Sequence, residues 1–200
     1  RDWSSGRVLF RSRVLDATFH LPHLKRDPRA EYLAAHIPGA AYFDIDGIAD
    51  HSTDLPHMLP SPEAFAQAVG RLGIDNNTLV VCYGAQGMSS APRVWWTFRA
   101  FGHDNVCVLD GGLPKWKSEG RAVEAGDVVP PPRSVTPHIR RELVRARADI
   151  LANVRSHAAQ VIDARPAGRF QGKDPEPRAG LRGGHIPGSF SVPLTTLIDD

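Results

Sequence analysis

Cysteine is almost missing from this chain: only Cys82 and Cys107 occur in 200 residues. Two cysteines make no disulfide framework, and without a CxxC pair or a His/Cys cluster there is no spacing for a structural zinc. Their scarcity fits a reducing compartment, and a cytoplasmic location is expected. Long hydrophobic runs are missing too. None approaches the roughly 20 apolar residues that a membrane-crossing helix needs, so no membrane role is expected. Charge of one sign is equally scarce. Lys and Arg number 24 against 22 Asp and Glu, a formal net charge of +2 with no dominant basic block. Nucleic acid is therefore not an expected partner. No cofactor and no metal ion are expected.

What is present reads as an ordinary globular chain, with 42% hydrophobic and 23% charged residues. Seventeen prolines and eighteen glycines indicate many loops, with a proline cluster at Pro130, Pro131 and Pro132. Arg1 to Ser12 has no clear period; residues 1–12 are expected to form an artefactual or disordered arm outside the fold.

The strongest signal is self-similarity. Val14-Leu15-Asp16-Ala17-Thr18 matches Val161-Ile162-Asp163-Ala164-Arg165, an offset of 147 residues. His36-Ile37-Pro38-Gly39-Ala40 matches His185-Ile186-Pro187-Gly188-Ser189, an offset of 149. Two matches in the same order and at nearly the same offset imply a duplicated domain. Each copy opens with a short apolar strand ending in Asp, then a polar segment, then a Pro-Gly turn into a second strand (Ala41 to Phe43, Phe190 to Val192).

The first copy continues with a helix over Pro62 to Leu72, with Ser61 as N-cap. Thr78 to Tyr83 has the composition of a buried strand, followed by a small-residue loop from Gly84 to Ser90. The next helix has Ser90 as its N-cap and Val94, Phe98 and Phe101 on one face. A short strand, Val106 to Leu109, and a helix, Leu113 to Glu119, follow. Strands alternating with helices predict an α/β fold with a mostly parallel sheet flanked by helices, followed by the start of a second copy. The expected boundaries are 13–123 for the first domain, 124–145 for a linker, and 146–200 for the N-terminal part of the second, beginning with a helix at Ala146 to Ala158.

Asp163-Ala164-Arg165, the His-Ile-Pro-Gly segments, Ser90 to His103 and Leu109-Asp110-Gly111-Gly112-Leu113 together resemble the tandem-domain rhodaneses. The resemblance is nearer to the 3-mercaptopyruvate branch and covers about Val14 to Asp200. It implies a sulfurtransferase whose second domain carries a nucleophilic cysteine in a loop between a strand and a helix, while the first domain keeps that loop without one. Here the first-domain position is Gly84, where the family often has Asp, and the loop is about two residues short. The loop begins 48 residues after His36; the same spacing from His185 puts the cysteine near position 233, beyond this chain. The polypeptide as it stands is therefore expected to be inactive.

The resemblance also assigns roles. Arg169 in Gly-Arg-Phe and Arg178 in Asp174-Pro175-Glu176-Pro177-Arg178 match two arginines that bind the carboxylate of 3-mercaptopyruvate. The chemistry suits them, since a guanidinium holds a carboxylate bidentately and keeps its charge. His57 and Asp46 match a supporting first-domain pair in which a carboxylate fixes the tautomer of a proton-shuttling histidine. His36, His185, Asp16, Asp163 and Arg165 are expected to hold structure. Cys82 lies inside a strand and is expected to be inert. The implied partners are a small-molecule sulfur donor, mercaptopyruvate or thiosulfate, and a thiol acceptor such as thioredoxin, or cyanide. The alternatives are a thiosulfate enzyme of the same fold and a non-catalytic binding or regulatory module.

Overall fold

A computed structural model describes residues 12–87, 89–178 and 180–197. The amino-terminal arm lies outside the described residues, except Ser12, which opens the first strand. The chain forms two compact units that divide between Arg141 and Glu142.

The first unit is built on a four-stranded parallel sheet. Its strands are β1 (Ser12–Asp16), β2 (Ala41–Tyr42), β3 (Leu79–Tyr83) and β4 (Val106–Val108), in the order β2-β1-β3-β4. Leu15 pairs with Cys82, and both face the larger core; Val14 and Tyr83 serve a smaller core on the opposite face. Period-two alternation therefore buries both faces, as a parallel sheet requires.

Four helices cover it: α1 (Pro28–Ala34), α2 (Pro62–Arg71), α3 (Ala91–Ala100) and α4 (Gly112–Ser118). In α2, the Ser61 hydroxyl accepts from Ala64 N at 3.2 Å and Pro62 occupies the first turn, so the helix starts where the sequence indicates. Ser90 sits at the N-cap of α3, but its side chain makes no cap bond. It is instead buried beside Gly84, where even a Cβ would come within 3.0 Å of its hydroxyl. Val94, Phe98 and Phe101 are buried as their spacing predicts, and Phe65 stacks on Phe101 at 4.2 Å.

From Glu124 to Arg140 the expected linker is bonded to the first unit. Gly126 N donates to Leu33 O, Arg133 N to Gly70 O, His138 N to Phe101 O and Arg140 N to Ala100 O, while Val135 packs against the core. Proline-rich composition signals an extended backbone, and extended backbone can dock as readily as it can span a gap. Gly70 and Gly102 admit this strap, because a Cβ at either would lie 2.4 Å and 2.6 Å from a strap carbonyl oxygen.

The second unit contains α5 (Arg147–Ser156), β5 (Ile162–Asp163), α6 (Ala167–Phe170) and β6 (Phe190–Ser191). β5 and β6 pair in parallel, Ile162 with Phe190, just as β1 pairs with β2. Among the described residues β6 is the only partner of β5, and Ile162 is 62% exposed where its counterpart Leu15 is fully buried.

Candidate active site

In the first unit the candidates fall on the loop after β2. Ile45 is buried and anchors this loop, which turns Asp46 outward. The Asp44 carboxylate accepts from Asp46 N at 3.1 Å and Gly47 N at 2.9 Å, an Asx turn. A Cβ on Gly47 would meet that carboxylate at 2.7 Å. The turn brings Asp46 Oδ1 to 2.8 Å from His57 Nδ1. The contact meets the distance of an ion pair rather than the direction of a linear hydrogen bond.

His57 has a left-handed backbone, φ 57°, which a side chain with a Cβ adopts only where surroundings hold it. Two contacts do so. The Arg93 guanidinium of α3 donates to the His57 carbonyl oxygen, and the ring meets Phe19 edge to face at 5.0 Å. With Nδ1 turned to the carboxylate, a proton exchanged with a substrate would pass through Nε2. Beside the ring lies a pocket of about 350 Å³ lined by Phe19, Leu21, Leu24, Ile45 and Arg93.

The Gly84–Ser90 loop follows β3. Ala85 N donates to Thr18 Oγ1 at 2.9 Å, and Leu113 N donates to Gly84 O at 3.1 Å. The loop carries no thiol. Cys82 is fully buried, and that burial pushes its thiol far above the ordinary range, favouring the neutral form.

In the second unit, Arg169 lies in α6 on a tight loop. Gly168 O accepts from Lys173 N at 2.9 Å and Asp174 N at 3.1 Å, and a Cβ on Gly168 would come within 1.9 Å of Asp174 Oδ2. The loop returns Glu176 to Arg169, whose Nε and Nη2 both reach Glu176 Oε2, at 3.1 Å and 2.5 Å. Glu176 Oε1 takes Arg165 Nη1 at 2.7 Å. Arg165 is also clamped by Asp163 at 2.9 Å and 2.6 Å and by Gly184 O at 2.6 Å. The Arg169 guanidinium holds the Glu176 carboxyl below its usual range, and Arg165 does the same to Asp163. Arg178 is exposed, two residues beyond Glu176 on the same loop.

The structure thus joins Asp46 to His57 and shows what holds Arg169. Phe19, Arg93 and Glu176 were missed from sequence. Glu176 stands between two prolines just before Arg178, and that setting could have marked it. Among the described residues no cluster of three or more His, Cys, Asp or Glu is placed to hold a metal ion, and no helix is long and apolar enough to cross a membrane.

The pattern of the rhodanese-like domain matches residues 14–119, more than half of the chain. This chain belongs to the rhodanese-like family. It is 47% identical over 188 residues to the 3-mercaptopyruvate sulfurtransferase of Rattus norvegicus, covering 93% of this chain and 63% of the relative. The crystal structure of SseA from Escherichia coli, described with the 3-mercaptopyruvate sulfotransferases, superposes with a TM-score of 0.87 at 39% identity, over 95% of this chain and 71% of that one. Tum1 from Saccharomyces cerevisiae superposes with a TM-score of 0.86 at 30% identity, over 94% and 66%. This rhodanese-like chain therefore spans somewhat under two thirds of the length of the rat relative.

Proposed function

We propose that this chain is the larger part of a tandem sulfurtransferase that takes sulfur from 3-mercaptopyruvate, with its nucleophilic cysteine encoded near position 233. The observation that carries the reading is Arg169, a guanidinium held from one side by Glu176 on a Gly168-shaped loop of the second repeat. Its Nη1/Nη2 edge, not used by Glu176, suits a carboxylate fork. Arg178 is the second donor-binding cation, and His57 with Asp46 supports proton transfer.

In the proposed reaction a cysteine thiolate attacks the sulfur of the donor. The sulfur–sulfur bond forms as the carbon–sulfur bond breaks, and its electron pair stays on the methylene carbon as the enolate of pyruvate. The donor's thiol proton is transferred to that carbon. The products are pyruvate and a cysteine persulfide, whose outer sulfur then passes to a thiol or cyanide. A thiolate needs a site that favours negative charge, which main-chain N–H groups at a helix N-terminus supply.

The test is the coding sequence beyond codon 200, followed by pyruvate release from 3-mercaptopyruvate by the extended protein. A cysteine about 50 residues after His185 is expected, and replacing it with Ser should abolish turnover. No thiol in that loop would overturn the reading and leave a binding module. Faster turnover of thiosulfate, unaffected by Arg169→Gln, would instead favour a thiosulfate enzyme.

A further inference from the structure

We propose that Glu176 is the positioning residue that aims Arg169 at the donor's carboxylate. The inference rests on the reading that Arg169 binds that carboxylate, and goes beyond it by assigning a role to Glu176, which the resemblance leaves without one.

Both Glu176 oxygens are engaged, Oε1 by Arg165 and Oε2 by Arg169, and its side chain is only 5% exposed. Arg165 does not need this acid as a counter-charge, because Asp163 already clamps it through Nε and Nη2. Among the described residues Glu176 is the only acid in ion-pair contact with Arg169, and Asp163 acts on it only at longer range. The pair uses only the Nε/Nη2 edge of Arg169. Among the described residues Nη1 makes no hydrogen bond, so the Nη1/Nη2 edge, whose parallel N–H bonds match the two oxygens of a carboxylate, is not used by the pair. An arginine tethered by one edge has lost most of its rotamer freedom before the ligand arrives, so less is lost on binding.

The repeat supplies an internal comparison. Thr18 is the counterpart of Arg165, and its backbone N–H makes the same Asx contact: Thr18 N to Asp16 Oδ1 at 2.9 Å, Arg165 N to Asp163 Oδ1 at 3.0 Å. The side chains differ. Thr18 Oγ1 holds the loop after β3, whereas Arg165 reaches out to Glu176. The turn is common to both copies. Among the described residues the Arg165–Glu176–Arg169 network belongs only to the copy proposed to bind the donor.

The experiment titrates pyruvate, which has the donor's ketone and carboxylate without its sulfur, into the full chain. Arginine Nε–H resonances are followed in wild type, Glu176→Gln, Glu176→Asp and Arg169→Gln. In wild type the Arg169 Nε–H is expected to exchange slowly and to shift with pyruvate. Glu176→Gln should lose the slow exchange and weaken pyruvate binding about tenfold, and Glu176→Asp, charged but shorter, should fall between. Because Gln could loosen the second unit, the Asp variant is compared at unchanged β5 and β6 amide shifts. Weakened binding there supports the proposal, and unchanged binding overturns it. Unchanged or tighter binding in Glu176→Gln also overturns it, tighter binding meaning that the acid competes with the ligand. If Arg169→Gln weakens binding but neither Glu176 variant does, the donor reading stands and the positioning role fails. If wild type does not bind pyruvate, or Arg169→Gln leaves binding unchanged, the donor reading fails and takes the proposal with it.

Discussion

His185 stacks on Phe170 with ring centroids 3.9 Å apart, and its Nδ1 meets the carbonyl oxygen of the same residue at 2.8 Å. His36 makes the same two contacts with Tyr32, at 4.3 Å and 2.9 Å. A carbonyl oxygen only accepts, so Nδ1 carries the proton in both copies. The sequence spacings differ, four residues against fifteen, yet the ring makes the same two contacts at the entry to each second strand, buried in the first copy and exposed in the second. The histidine of the repeat is a structural bolt.

His36→Ala should therefore destabilise the first unit by about 3 kcal/mol, because it empties a fully buried site and strands a carbonyl. His185 is exposed, so His185→Ala should cost less than about 1 kcal/mol. Denaturant melts of the first unit and hydrogen exchange at β6 measure the two effects. Equal losses would refute the assignment of burial as the deciding factor.

The strap after residue 123 should be integral to the first unit. A chain ending at Val123 is expected to unfold at a lower temperature than one ending at Arg141, since it loses the docked main-chain bonds and the Val135 contact. Gly70→Ala should reproduce much of the loss, because its Cβ would run into Arg133 O. Matching melting temperatures for the two chain lengths would show the strap to be idle.

Thiol reagents should divide the two cysteines. Cys107 is exposed and Cys82 fully buried, and burial raises the thiol of each. Alkylation at neutral pH is expected to mark Cys107 slowly and Cys82 only after unfolding. Cys82→Ala should leave any sulfur transfer by the extended protein intact. Mass spectrometry of the native protein after alkylation checks the first point, and early labelling of Cys82 would contradict it.

Acid should loosen the second unit. The Glu176 carboxyl is lowered chiefly by its bond to Arg169, and that of Asp163 by its bond to Arg165. A carboxyl held below its unfolded value binds fewer protons in the folded state, so its stabilisation is full above the unfolded range and fades as pH falls through the folded value. With ordinary values of 4.5 for Glu and 3.8 for Asp, the loss should begin below that range. Hydrogen exchange at β5 and β6 across this interval reads it. Protection that persists to the lowest pH in wild type would show the pairs to be energetically silent.

Much of the first unit was legible because its signals are local. Ser61 caps its helix by a short-range bond to Ala64 N, and Val94, Phe98 and Phe101 recur at the helical period, so neighbours in sequence decide both. The docking of the strap is not legible in the sequence because its bonds to Leu33, Gly70, Ala100 and Phe101 are distant in sequence. Ser90 was right in place and wrong in mechanism, since a buried hydroxyl takes whatever geometry the tertiary contacts leave it. At the site, Arg169 is singled out only by the resemblance, while its contact with Glu176 depends on how the loop closes.

The sequence alone determined the duplication and the alternation of strand and helix. Those follow from period, spacing and side-chain chemistry, which are properties of the string itself. Only the tertiary structure decided that a proline-rich stretch is docked, that Asp46 meets His57, and that Glu176 shares itself between Arg165 and Arg169. Such pairings depend on which segments fold back to within about 3 Å of each other. That is set by the closure of loops and cores, whose energy no local pattern records.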